Sequence, residues 1–156
     1  MNTAKDILNL YWDGYLPVDP IDIAVQMGVE LNPNPFLDHS GHFRFDSNGA
    51  PTIDYNNTES KNRQRFTIAH ELGHYVNGDH DAPRDTSISF NQYNRDICEV
   101  NANRFAAELL MPDNVVKYLI NFEHIYSLDD LAKRFDVSTS AMHYRLVNLG
   151  LINNDW

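Results

Sequence analysis

The spacing of apolar residues predicts helices over most of the chain and strands in only one part of it. Apolar side chains recur every three to four residues from Ala4 to Tyr15, which predicts a first amphipathic helix. Asp19 followed by Pro20 is typical of a helix start, because aspartate caps backbone N–H groups and proline suits the first helical position. This second helix is predicted to end at Gly28.

Between residues 32 and 57 the pattern changes to alternation, which predicts extended backbone. Residues 42–45 and 52–56 alternate on either side of the turn-forming segment 46–49. We expect a hairpin in a small antiparallel sheet beside the next helix, with a further strand starting at Val29. One strand of the hairpin could pair with a bound peptide; the alternative is that the sheet only covers the core.

Two longer helices are predicted in the middle of the chain. The first begins near Thr58 and runs to Asn77-Gly78, a typical helix end. The second runs from Arg95 to a break at Pro112. One stripe of the second helix consists of Glu99, Ala102, Asn103, Ala106, Leu109 and Leu110.

The segment between these helices, residues 79–94, is polar and rich in turn-forming residues. Long segments without secondary structure are uncommon in compact domains unless they serve a function. We therefore predict a long irregular loop near a functional cleft, with Ile88 and Phe90 as its anchors or as contacts to a bound molecule.

The last part of the chain has a different organisation. Ser127 and Asp130 resemble a capping box that opens a helix over residues 128–135, and Ser138 can cap a second helix over residues 139–147. Four apolar residues are spaced like the core of a helix-turn-helix: Ala132, Val137, Met142 and Leu146.

These patterns together predict an α+β protein that is mostly helical. Residues 1–120 are predicted to form the main domain, on which residues 121–156 pack as a helix-turn-helix-like segment. Asp136 stands at the turn position where glycine is usual. From Lys117 to Trp156 there are four Lys or Arg against five Asp or Glu, so this segment is poorly charged for reading DNA.

Composition narrows the classes of function. The 156 residues suit one compact domain, and a net charge of −10 disfavours binding to nucleic acid through a broad basic surface. The single cysteine, Cys98, allows no internal disulfide and fits a reducing cytoplasm. The N-terminus does not resemble a signal peptide, and no apolar run is long enough for a bilayer. We expect a cytoplasmic protein.

The residues that most clearly indicate a chemical function lie in one segment, where His70, Glu71 and His74 have H-E-x-x-H spacing. On a helix, residues four apart share a face, so both imidazoles can bind one metal ion. Glu71 points about 100° away from the first ligand, where it can serve as the base for a water molecule at the metal. This chemistry indicates zinc-dependent hydrolysis, so residues 1–120 are predicted to be a zinc metallopeptidase domain.

Two residues compete for the place of the third ligand. Glu99 opens an apolar stripe, and a carboxylate is costly to bury unless it is paired or binds a metal. Asn103, one turn further on, would then support a ligand. Alternatively, His80 stands where a metzincin places its third histidine, but Asn77 occupies the position that should hold glycine. We favour Glu99, with His80 as a possible oxyanion or substrate contact.

The two central motifs, R-F-T-I-A-H-E-L-G-H-Y and E-V-N-A-N-R-F-A-A-E-L-L-M-P, resemble those of the ImmA/IrrE family of zinc metallopeptidases. The resemblance spans nearly the whole chain and implies a small gluzincin-like α+β peptidase. It implies that His70, His74 and Glu99 bind zinc and that Glu71 is the catalytic base. Family members are bacterial or phage-borne, and several cleave a helix-turn-helix repressor.

We therefore expect a zinc endopeptidase whose substrate is a partner helix-turn-helix repressor, so that cleavage relieves repression. The negative charge suits a basic DNA-binding partner. Direct DNA binding and membrane association are not expected. The alternatives are a non-proteolytic regulator and a toxin–antitoxin component, each acting by binding to protein or DNA, because an intact metal site does not by itself prove turnover.

Overall fold

The order of elements follows the predicted change from helix to strand and back to helix. A computed structural model describes residues 3–79 and 88–153, with only the backbone described for residues 88–91. The elements are α1 (Ala4–Tyr11), α2 (Pro20–Gln26), β1 (Glu30–Pro33), β2 (Gly41–Phe45), β3 (Pro51–Tyr55), α3 (Lys61–Asn77), α4 (Ile88–Leu110), α5 (Asp113–Asn121), α6 (Leu128–Phe135) and α7 (Thr139–Asn148). The α+β class is confirmed.

Local capping explains where several helices begin. The Asp19 carboxylate accepts hydrogen bonds from two backbone N–H groups at the start of α2. Ser60, Ser127 and Ser138 each accept one at the starts of α3, α6 and α7. Gly78 ends α3 with a φ of 72°, a left-handed conformation that glycine adopts without a steric penalty.

The sheet is mixed, so the prediction of an antiparallel sheet was wrong for one strand. The strand order is β1-β3-β2; β2 and β3 form the predicted antiparallel hairpin, whereas β1 runs parallel to β3. Alternation along the sequence indicates which segments are extended, but it does not indicate the order or direction of the strands in the sheet. Here β2 lies between β1 and β3 in the chain, so β3 returns in the direction of β1 and pairs with it.

The predicted loop over residues 79–94 was also wrong in its second half. Helix α4 begins at Ile88, so residues 88–94 are helical. Serine and asparagine are weak helix formers, which made this stretch look like a loop. The Gln92 side chain donates a hydrogen bond to Asp96 one turn later, at 2.9 Å, and such i,i+4 pairs support a helix.

The main core surrounds α3. Helix α3 packs against α4 on one side and against β2 and β3 on another. The largest fully buried side chains include Ile53, Ile68, Leu72, Leu109, Leu110 and Met111. Among the described residues, no helix combines the length and apolar character needed to cross a membrane.

Two arginines fasten the last helices to this core. Arg65 of α3 donates hydrogen bonds to the backbone oxygens of Val18, Phe135 and Asp136. Arg145 of α7 is buried and donates to the Met111 oxygen at 2.9 Å. The turn between α6 and α7 contains Asp136 in the left-handed conformation, with a φ of 52°. The division at residue 120 remains a prediction.

The buried carboxylate of Asp54 joins all three strands. It lies on the central strand and is 4% exposed. The Asn32 amide of β1 donates to it at 2.6 Å, and Arg44 and His42 of β2 contact it from the other side. Burial raises the pKa of Asp54, but the hydrogen bonds from Arg44 and Asn32 and the nearby charges more than offset this, so the pKa lies below its ordinary value.

We predict that Arg44→Met lowers the free energy of unfolding by about 1–2 kcal/mol at pH 7, because it removes a charged hydrogen-bond donor that solvent partly screens. Since the folded-state pKa of Asp54 is depressed, the stabilisation is complete above the unfolded pKa of about 3.9 and is lost as pH falls through the folded value. Denaturant titrations at several pH values measure both effects.

Arg134→Met is the matched control, because Arg134 and Glu123 form an exposed ion pair at 2.9 Å. Exposed pairs contribute at most about 1 kcal/mol, and we expect less than half of that here. Equal losses of unfolding free energy in the two variants would contradict a specific role of the Asp54 contact. So would a loss for Arg44→Met that does not diminish as Asp54 becomes protonated at low pH.

Candidate metal centre

Three of the predicted metal ligands meet between α3 and α4. The Nε2 atoms of His70 and His74 are 3.1 Å apart. The Glu99 carboxylate reaches across from α4, with one oxygen 3.0 Å from His70 Nε2 and the other 3.0 Å from His74 Nε2. Ligands at 2.0–2.1 Å from a tetrahedral metal ion are about 3.3 Å apart, so this donor set fits a metal ion.

The surroundings of Glu99 differ from the expectation that placed it in a buried stripe. Its side chain is 57% exposed, whereas those of His70 and His74 are 14% exposed. Along α4 the buried stripe starts only at Ala102, because Glu99 lies where the helix borders an open cleft. The argument from the cost of burial was therefore wrong, and the contacts with both histidines are what support Glu99 as a ligand.

Each histidine has a second partner on its other ring nitrogen. His70 Nδ1 lies 2.8 Å from the Asn103 side-chain oxygen, one turn after Glu99 on α4. His74 Nδ1 lies 3.0 Å from the Asp79 carboxylate. Such contacts orient metal-binding imidazoles. Sequence reasoning missed Asp79, although its position just after the helix end at Gly78 brings it back towards the last turn of α3.

The electrostatics of His70 suit a metal ligand. Burial lowers its pKa, and the neighbouring His74 lowers it further, while Glu99 and Asn103 act in the opposite direction. The net effect is that the pKa of His70 lies below its ordinary value. A neutral imidazole keeps a free electron pair for a metal ion, so this environment favours the form that binds.

Glu71 has the properties of an acid–base group. It is buried, and burial is the largest cause that raises its pKa to about 7; Glu99 also raises it, while His74 and a backbone hydrogen bond from Phe43 lower it. One of its carboxylate oxygens lies within 4.8 Å of a ring nitrogen of each motif histidine. A carboxyl group with this pKa can take and return a proton near neutral pH.

The close packing of α3 on α4 brings the two halves of the site together. A Cβ atom added at Gly73 would lie 3.1 Å from the Phe105 Cβ and 3.2 Å from the Ala102 Cα. These distances are shorter than ordinary van der Waals contacts. Gly73 therefore permits the helix separation at which Glu99 reaches His70 and His74.

Strand β2 forms another side of the site. A Cβ atom at Gly41 would lie 2.6 Å from Thr67 Cγ2 and 2.7 Å from the Asp54 backbone oxygen, so only glycine fits there. Because β2 pairs with β3 on one side only, its other side is a sheet edge, and Ser40 and Gly41 line the cleft beside Glu71.

A chain of side chains at the start of β2 was not predicted. His39 lines the cleft with Glu71, and its Nε2 lies 2.8 Å from His42 Nδ1. His42 Nε2 lies 2.7 Å from the buried Asp54 carboxylate. The exposed Asp38 contacts the other nitrogen of His39. These contacts hold an imidazole in the cleft wall; no spacing pattern in the sequence indicated this arrangement.

The site opens into a cleft of about 1550 Å³, which continues past Glu99 towards the C-terminal helices. His80 and residues 81–87 lie outside the described residues, as do the side chains of Ile88 and Phe90. The predictions for His80, Ile88 and Phe90 therefore stay predictions.

Comparisons of this chain with a family model and with individual proteins point to the same family. Residues 24–147 match the family Peptidase_M78, described as the IrrE N-terminal-like domain. The radiation response metalloprotease IrrE of Deinococcus radiodurans is 34% identical over 123 residues, which cover 76% of this chain but 37% of that protein. Metallopeptidase ImmA of Bacillus subtilis is 29% identical over 97 residues, covering 62% of this chain and 56% of that protein.

Two further similarities concern a phage protein and a solved structure. Uncharacterized immunity region protein 2 of Bacillus phage phi105 is 29% identical over 136 residues, covering 84% of this chain and 81% of that protein. A Mycobacterium tuberculosis transcriptional regulator has a similar fold, with a TM-score of 0.67 at 18% identity over 92% of this chain and 44% of that one.

We predict that Gly73→Ala weakens metal-ion binding about five- to tenfold, which corresponds to about 1–1.4 kcal/mol, because α4 must shift and carry the Glu99 carboxylate away. Stability of the metal-free protein should change little, since the gain of about 1 kcal/mol in helix propensity offsets much of the crowding. Chelator competition measures the metal affinity, and thermal unfolding the stability.

Asn77→Ala is the control for this change, because Asn77 is an exposed residue of the same helix. The Asn77→Ala substitution also increases helix propensity, but it does not change the contact between α3 and α4. Unaltered metal affinity in Gly73→Ala, or an equal loss in Asn77→Ala, would show that the helix separation does not govern the ligand set.

Proposed function

Since the chain belongs to the Peptidase_M78 family of metallopeptidases, we propose that it is a zinc-dependent endopeptidase that hydrolyses a peptide bond of a partner protein. The observation that carries this proposal is the position of Glu71, a buried carboxyl group with a pKa of about 7, beside the three donors of His70, His74 and Glu99. An acid–base group and a metal site then occupy the same cleft.

The metal ion that we propose is Zn²⁺, held by His70, His74 and Glu99. Two imidazoles and one carboxylate are a donor set typical of catalytic zinc sites, which leave one position open. When bound, the ion supplies a Lewis acid that polarises a peptide carbonyl and acidifies water. Asn103 and Asp79 hold the two imidazoles from behind, through their Nδ1 atoms.

Glu71 performs the proton transfers in this proposal. It accepts a proton from the attacking water and delivers it to the amine that leaves. Its burial matters because a carboxylate with an ordinary pKa is a weak base at neutral pH, whereas a group with a pKa near 7 can both take and return a proton. The edge of β2 gives the substrate backbone a strand with which to pair, beside Glu71. His80 remains our proposed contact for the oxyanion or the substrate.

The substrate that we propose is a helix-turn-helix transcriptional repressor, whose cleavage relieves repression. One relative is named for a phage immunity region and another for a radiation response, and both names are in line with a role in regulation. The net charge of −10 suits a basic DNA-binding partner through charge complementarity. The lone cysteine is in line with action in the cytoplasm, which is part of the proposal.

We predict that co-expression with its repressor, to be sought among helix-turn-helix proteins encoded near this chain, removes intact repressor when the chain is wild type, but not when it carries Glu71→Gln. The amide cannot accept the proton from water, so turnover should fall by at least about a hundredfold. Immunoblots of the repressor measure the outcome. Repressor that disappears with both proteins, or with neither, counts against the proposed reaction.

Glu123→Gln is the matched control, since Glu123 is an exposed glutamate paired with Arg134. This variant should remove the repressor as fast as wild type. Its failure to do so would mean that loss of any one carboxylate disturbs the protein, and the Glu71 result would then carry no mechanistic weight.

A second prediction concerns the third ligand. We expect Glu99→Ala to lose zinc and His80→Ala to retain it, because the Glu99 carboxylate contacts both motif histidines. Elemental analysis after gel filtration, with circular dichroism to monitor folding, measures the metal content. Zinc that stays with Glu99→Ala and leaves with His80→Ala would reverse the assignment.

A further inference from the structure

The cleft that contains the metal centre does not end at the two metal-binding helices. It continues to α7, and the residues of the C-terminal segment that line it are Val137, Ser138, Ala141, Tyr144, Arg145, Asn148 and Leu149. The cleft volume of about 1550 Å³ exceeds the range of about 300–1,000 Å³ that is typical for small-molecule sites. Its size and its continuity with Glu71 fit a polypeptide segment.

One face of α7 is turned towards this cleft. Ala141, Tyr144 and Asn148 are spaced at i, i+3 and i+7 and line the cleft, while Met142 and Leu146 are buried on the other side. In a DNA-binding helix-turn-helix, the exposed face of the second helix enters the major groove. Here residues of α7 outside its packed face form a wall of the cleft that holds the metal centre.

This wall is held firmly in place. The buried Arg145 joins α7 to the end of α4 through the Met111 oxygen, at 2.9 Å. Arg65 joins the end of α6 to α3, with hydrogen bonds of 3.2 Å to the Phe135 oxygen and 3.1 Å to the Asp136 oxygen. Because each bond leads to an element that also carries or adjoins the metal site, the wall and the site form one preformed surface.

The wall presents an exposed aromatic side chain to the cleft. Tyr144 is 64% exposed, and Val100 of α4, which also lines the cleft, is 55% exposed. A tyrosine that lines a cleft can offer a bound segment much contact area for little loss of side-chain entropy.

We propose that α7 is the substrate-reading wall of this peptidase: it takes an extended substrate segment whose bulky apolar side chain, outside the residues of the scissile bond, packs against Tyr144. This inference rests on the proposed function and adds to it a place and a side-chain class for recognition. It also assigns the second helix of the helix-turn-helix-like unit to protein rather than to DNA.

The test uses a library of peptides from a digested bacterial proteome as the probe. Zinc-loaded wild type, Tyr144→Ala and the control Tyr118→Ala are each incubated with it, and mass spectrometry identifies the cleaved bonds. Tyr118 is a matched tyrosine, 52% exposed and outside the residues that line the cleft. Zinc affinity and the thermal midpoint, measured for all three, should agree because both substitutions are at exposed sites.

For wild type and Tyr118→Ala we expect enrichment of Leu, Ile, Phe or Met at one position, at least two residues from the cleaved bond. Tyr144→Ala should lose this enrichment, and its kcat/KM on the best peptide should fall about fivefold or more through KM, with kcat nearly unchanged. Enrichment that persists in Tyr144→Ala, or an equal effect of Tyr118→Ala, would overturn the proposal.

A second measurement separates this inference from the proposed reaction. The zinc-loaded Glu71→Gln protein is immobilised, with and without the additional substitution Tyr144→Ala, and the peptides of the same library that bind to each protein are identified. If wild type cleaves no peptide, while the binding of apolar peptides depends on Tyr144, the wall proposal is supported and the proteolytic proposal fails. If Glu71→Gln retains no peptides and Tyr144→Ala changes only the binding of duplex DNA, the wall proposal is wrong.

Discussion

The structure depends most on the close approach of α3 and α4. Gly73 lies so near Ala102 and Phe105 that an added methyl group would be crowded by both. This contact sets the separation at which a carboxylate of one helix reaches two imidazoles of the other. A wider crossing would separate the Glu99 carboxylate from both imidazoles.

The same packing decides the electrostatics of the centre. Glu71 is buried beside strand β2, where it accepts a backbone hydrogen bond from Phe43, and its burial raises the pKa to about 7. Burial also lowers the pKa of His70. Both shifts favour neutral forms because charge is poorly solvated there. Two adjacent residues of one helix thereby have properties that suit the two roles we propose for them, one in binding a metal ion and one in exchanging a proton.

The cleft is assembled from parts that are far apart in the sequence. The start of β2 contributes His39, Ser40 and Gly41, the central helices contribute the metal site, and α7 contributes Tyr144. Arg65 and Arg145 connect these parts through backbone oxygens at helix ends. The cleft is therefore larger than the candidate metal centre at its middle.

The sequence by itself determined what depends on local order: the H-E-x-x-H spacing, the helix starts at Asp19, Ser127 and Ser138, and the hairpin of β2 and β3. These follow from periodicity and capping, which act within a few residues. Only the tertiary structure decided that β1 runs parallel to β3, that Glu99 is exposed yet touches both histidines, and that Asp79 and His39 belong to the site. Those features arise from packing between distant segments, and no local pattern encodes the distance between them.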